Sequence, residues 1–157
     1  MIMVLRTRTD HIVIHCSATD PEWHGDITID DIDRWHRERG FDEIGYHYFI
    51  DRKGTVYQGR GLRDIGAHVR GQNHNSIGIC LEGGVEVEKN AHTGAVTFRA
   101  KTNFTDRQFE SLDSLVEVLI EAYPDADVSG HRDFVGVIKE CPSFNATHWF
   151  NTGEVLP

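Results

Sequence analysis

Two short apolar runs restrict what this chain can fold into. His11-Ile12-Val13-Ile14-His15-Cys16 and Ser76-Ile77-Gly78-Ile79-Cys80-Leu81 lack the polar alternation of a half-exposed strand. Unbroken β-branched runs of this length read as strands buried on both faces. Helices must cover them, and two amphipathic segments are available. Thr28 caps a stretch with Asp30 and Asp31 in its first turn, then Ile29, Ile32, Trp35 and His36 at helical spacing, and Gly40 as the stop. The spacing predicts a helix over 28–39. Thr105-Asp106-Arg107-Gln108 is a capping box, and Phe109, Leu112, Leu115, Val116, Leu119 and Ile120 form the broad stripe of a main core helix that ends near Pro124.

The remaining segments fit the same scheme. Residues 45–50 and 55–58 around Asp51-Arg52-Lys53-Gly54 predict a β-hairpin. Residues 59–75 read as a long loop, a length that inside compact domains usually carries function. A small hairpin is expected within 85–103, around Asn90 to Gly94. Asp127 to Gly130 reads as a short strand delivering His131, and a last helical turn begins at Asn145, with Trp149 and Phe150 expected to pack inward. Residues 1–10 are read as a loosely held arm. The fold class is therefore α/β: a single domain with a central mixed β-sheet flanked by helices.

The 157 residues suffice for one domain with one sizeable core. Sixteen basic against 25 acidic residues give a net charge of −9, which argues against nonspecific nucleic-acid binding. No apolar run approaches the roughly 20 residues of a membrane span. The start of the chain lacks the pattern of a secretory signal, so a cytosolic protein is expected. Cysteines at 16, 80 and 141 do not suggest a disulfide framework. Cys16 and Cys80 lie in the apolar runs and read as small buried hydrophobes.

Chemistry concentrates near the end of the chain, in His131-Arg132-Asp133-Phe134-Val135-Gly136-Val137-Ile138-Lys139-Glu140-Cys141-Pro142. An imidazole and a thiol there offer two metal ligands. His15, at the end of the first apolar run, is the best candidate for a third. Two His and one Cys would leave one tetrahedral position of a zinc ion for water, the layout of a catalytic site. The competing reading makes each of these an ordinary structural residue, and spacing alone does not decide. Lys139 reads either as a solvated surface lysine or as a cation aimed at an oxyanion. Tyr46 reads either as a core aromatic or as a hydroxyl facing the metal. Ten histidines exceed what a core needs, but His11, His24, His92 and His148 have no companion suggesting a role.

Several blocks occur together in a recognisable order: His15-Cys16-Ser17-Ala18-Thr19, Trp35-His36, Gly45-Tyr46-His47-Tyr48, Asp51-Arg52-Lys53-Gly54, Gly66-Ala67-His68, Asn73-His74-Asn75-Ser76-Ile77-Gly78-Ile79-Cys80-Leu81 and Lys139-Glu140-Cys141-Pro142-Ser143-Phe144. On these blocks the chain resembles the type 2 N-acetylmuramoyl-L-alanine amidases, whose fold peptidoglycan recognition proteins share. The likeness covers roughly residues 11–150. The segments from His131 to Cys141 and from 85 to 103 look longer than in phage members of the family.

The resemblance implies a zinc amidase domain over 11–157, with Zn²⁺ held by His15, His131 and Cys141. It implies catalytic roles for Tyr46 and Lys139, and places His68 and Asn75 along the substrate groove. The implied reaction is hydrolysis of the amide between N-acetylmuramic acid and L-alanine in peptidoglycan, by a phage or prophage endolysin. No carboxylate announces itself as the base, and Tyr46 is the first candidate to take the proton of the attacking water. A monomer is expected, working without nucleic acid or membrane as partner. It would reach the wall from the host cytoplasm only after the membrane is permeabilised. Family analogy adds a phage RNA polymerase as a further partner, with residues 1–10 as one contact.

Overall fold

A computed structural model describes residues 4–157. Its centre is a five-stranded mixed sheet. β1 (His11–Cys16) lies between β4 (Ser76–Leu81) and β7 (Asp127–Gly130), parallel to both. β2 (Tyr48–Ile50) runs parallel to β4, and β3 (Val56–Gln58) closes the sheet antiparallel to β2, giving the order β3-β2-β4-β1-β7. The two unbroken apolar runs are thus neighbours in the middle of the sheet. In β4 all six residues are buried, which explains why neither run alternates.

Each face has its own cover. Ile12, Ile14, Ile77, Ile79 and Leu81 pack under Leu112, Val116 and Leu119 of α3 (Asp106–Ala122) and under Ala146 and Trp149 of α4 (Ala146–Thr152). On the other face Phe49 and Cys80 meet Ile27, Ile44 and Ile32 of α2 (Ile29–Glu38). The capping boxes form: the side chains of Thr28 and Thr105 accept from the backbone of Asp31 and Gln108, which return the bond. A short helix, α1 (Pro21–His24), occupies a stretch without hydrophobic periodicity; Asp20 caps it.

The structure departs from the sequence reading at three places. The expected arm is pinned from residue 4 onward: the Val4 carbonyl accepts the Ile65 amide, Leu5 bridges to Asp64, and the buried Arg6 guanidinium donates to the carbonyls of Leu62 and Asp64. Residues 1–3 lie outside the described residues. Phe150 is exposed while Trp149 is buried, because successive helical positions point in different directions and Trp149, with Ala146, takes the inward face of the seven-residue α4. The small hairpin is longer than expected, with β5 (Val85–Lys89) paired to β6 (Val96–Ala100) apart from the main sheet. It is tied back where Asp20 Oδ2 accepts from the Val87 amide.

Candidate metal and active site

The period of two along a strand separates the side chains of β1. Ile12 and Ile14 enter the α3 face, so Val13 and His15 point to the other. On that face β4 presents Ser76, Gly78 and Cys80, all small, with His15 in register with Cys80. The shallow trough they leave is filled by imidazoles. A Cβ on Gly78 would stand 2.7 Å from Cγ of His68, and one on Gly66 2.8 Å from rings of both His47 and His68. The glycines are there to seat these rings.

β7 ends at Gly130, and a 3₁₀ turn over 131–133 carries His131 to the end of β1. Arg132 donates its amide to the Cys141 carbonyl, closing the loop that returns Cys141 to the same place. Ligand atoms of His15, His131 and Cys141 then lie within 4.8 Å of one another. His15 Nδ1 is 3.8 Å from Cys141 Sγ, and the His15 and His131 ring centroids are 4.7 Å apart. Tetrahedral zinc at ordinary bond lengths sets neighbouring N and S ligand atoms about 3.3–3.6 Å apart, so the cluster fits such an ion with little movement. The Cys141 sulfur also accepts the Cys16 backbone N–H at 3.3 Å.

The electrostatics suit a cation. Burial, then the neighbouring His68 and His131, lower the proton affinity of His15 well below its ordinary value. Burial and the charge of Lys139 lower that of His131. Both rings therefore stand neutral, with a lone pair to offer. Contact with the Cys16 thiol, reinforced by burial, pushes the Cys141 thiol well above its usual range, so ionising it needs a positive partner. Tyr46 precedes β2, its ring centroid 4.9 Å from that of His15, and burial raises its hydroxyl well above the usual range. Lys139 is exposed on the returning loop.

Comparison with known proteins matches this arrangement to one family. The Amidase_2 family, described as N-acetylmuramoyl-L-alanine amidase, matches residues 5–144. The endolysin of Escherichia phage T7 is 38% identical over 151 residues, covering 96% of this chain and 91% of the phage protein. The chain belongs to the N-acetylmuramoyl-L-alanine amidases. The endolysin of Enterobacteria phage T3 is equally similar, at 38% identity over the same shares. Among solved structures, the amidase LysC from Clostridium intestinale aligns with TM-score 0.71 at 29% identity, over 90% of this chain and 81% of that one. Bumblebee PGRP-SA shares the fold, with TM-score 0.71 at 21% identity over 97% and 86%. The chain is thus an amidase of the endolysin kind, hydrolysing the bond between N-acetylmuramic acid and L-alanine.

The two residues expected along this amidase's substrate groove are both enclosed by the protein. The His68 ring is buried and both its nitrogens are engaged within the protein, Nδ1 with His15 Nε2 at 2.8 Å and Nε2 with Ser76 Oγ at 3.1 Å. Asn75 is buried too, its amide donating to Asp10 while its Oδ1 finds no protein partner. Asn75 is buried in the strand-end turn at 73–75, and His68 is held inward by His15 and Ser76.

Other members of the site carry little sequence signal. His36 Nδ1 accepts the Gly45 amide and so fixes the backbone just before Tyr46. His47 accepts the Gly78 amide at Nδ1 and donates from Nε2 to the Asp64 carbonyl. The surplus of histidines and the small-residue alternation Ser76-x-Gly78-x-Cys80 were the available clues.

Proposed function

We propose that this amidase is zinc-dependent, with His15, His131 and Cys141 holding the ion and Tyr46 and Lys139 acting on the scissile amide. The convergence of three remote ligand atoms supports this reading. Two neutral imidazoles and one thiolate leave a net charge of about +1 at a Zn²⁺ site. When bound, zinc supplies a Lewis acid and brings the pKa of a coordinated water toward about 7.

The chain's own residues do the rest. Cys141 would hold the ion as a thiolate, its proton passing to solvent, and the Cys16 N–H donates to the sulfur. Tyr46 is held protonated at neutral pH, so its hydroxyl is a donor toward the developing oxyanion rather than the base for water. Lys139 adds a positive charge on the loop beside His131.

The test is chemical. Metal removal should abolish release of L-alanine amino termini from peptidoglycan, and zinc should restore it. Full activity in chelator after verified metal removal would defeat the reading. Access to the wall from the cytoplasm is taken to follow membrane permeabilisation by another factor. The polymerase contact implied by the resemblance has its own test, co-purification of the two proteins, and no step of the hydrolysis depends on it.

A further inference from the structure

Resting on the zinc-amidase reading, we propose that His68 is a positioning residue for the metal centre. It accepts the Nε2 proton of His15 and thereby keeps the Nδ1 lone pair of His15 directed at the cation. The argument runs backwards from a backbone carbonyl. Ser76 Oγ lies 2.6 Å from the Gln72 carbonyl oxygen. A carbonyl has no proton to give, so the serine hydroxyl donates there. Its lone pairs then receive the other neighbour, His68 Nε2 at 3.1 Å, which must carry a hydrogen. A neutral imidazole has one N–H, so His68 Nδ1 is an acceptor. His15 Nε2, 2.8 Å away, must therefore be the donor. That leaves Nδ1 of His15 bare, and Nδ1 is the atom facing Cys141 Sγ. The opposite assignment would put a proton where the ion binds.

The seat of His68 is built to hold this orientation. Its ring lies against Gly66 and Gly78, either of which would collide with it if given a Cβ. Its own amide and that of Val69 donate to Asn73 Oδ1, at 2.8 and 2.9 Å, fastening the loop that carries it. The ring is buried, so it reaches the reaction only through His15. A ligating histidine whose other nitrogen is held by a partner keeps its tautomer and ring angle, and losing such a partner typically weakens metal binding by about 10–100-fold.

Two measurements test this, neither relying on turnover. Long-range ¹⁵N–¹H NMR of the metal-free, unmutated protein at neutral pH should show His15 and His68 both as Nε2–H tautomers. Finding either as Nδ1–H overturns the proposal. Zinc affinity by chelator competition should fall by about 10–100-fold in His68→Leu. It should recover most of the loss in His68→Asn, whose amide oxygen takes the place of Nδ1. Leu at wild-type affinity, or Asn no better than Leu, also overturns it. If the Leu variant fails to fold, judged by circular dichroism, the NMR result on the unmutated protein decides. If the unmutated protein binds no zinc, the zinc reading falls, while the tautomers still decide the relay.

Discussion

At the scale of single residues, the proposed mechanism divides into holding an ion and answering charge. Lys139→Ala should leave zinc content unchanged and lower turnover by about 10²–10³-fold, the usual cost of one oxyanion donor. Normal turnover in that variant would return Lys139 to the exposed surface where it sits. Tyr46→Phe keeps the ring against His15 and deletes only the hydroxyl. It should lose activity by a similar factor with melting temperature nearly unchanged, checked by calorimetry beside the peptidoglycan assay. His15 and His131 were readable because one ends and the other follows a short strand that the sequence marks; Cys141 follows an exposed loop and stood out by its residue type alone. His68 was not, because its role depends on which nitrogen carries a proton, and that is set by Gln72 and Ser76 through folding. The contact of Asn75 was hidden for a similar reason: its partner is Asp10, 65 positions away.

Among the elements, β4 does two jobs with one alternation. Its large residues face α3, and its small ones make space for rings. Gly78→Ala should unseat His68 and cost about 1–3 kcal/mol as an overpacked site, read by urea denaturation, with weakened zinc binding alongside. A variant of unchanged stability would mean the trough has slack. Strand and helix positions were legible from hydrophobic period and capping residues. α1 was not, since four residues capped by Asp20 leave no periodic trace. The hairpin of β5 and β6 was underestimated because its outward residues, including Phe98, stay exposed and so carry no burial pattern. α2 and the start of β2 also set an acid limit. Burial lowers His36 and His47 to about 4 from an ordinary 6.5. Neutral rings favour the folded chain, so their contribution is full above about 6.5 and vanishes as pH falls through about 4, up to about 3 kcal/mol each. A stability–pH profile of the metal-free protein should drop across that window, and His47→Phe should flatten it. A profile flat from 7 to 4 would contradict the assignment.

Across the whole molecule, the layers are joined by buried polar groups as well as by oil. Gln108 on α3 donates to the carbonyls of Ile50 and Glu82, and its oxygen accepts the Thr105 amide. The buried Glu82 carboxylate, its proton affinity raised mainly by that burial, accepts the amides of Ile27 and Arg52. Gln108→Leu would strand the Glu82 carbonyl and the Thr105 amide, leaving the Ile50 carbonyl with the Glu82 N–H alone, and should cost at least about 2 kcal/mol, measurable by chemical denaturation. An unchanged midpoint would show that water reaches those groups. The general architecture was legible because the unbroken runs demand cover on both faces. These cross-layer ties were not, since a glutamine and a glutamate read as surface residues until packing encloses them.

His15 stands 126 positions before Cys141. A ribosome must therefore deliver the whole of that span before any clasp can shut around an ion. A copy whose synthesis stopped short of Cys141 would lack one of the three ligand atoms that meet there.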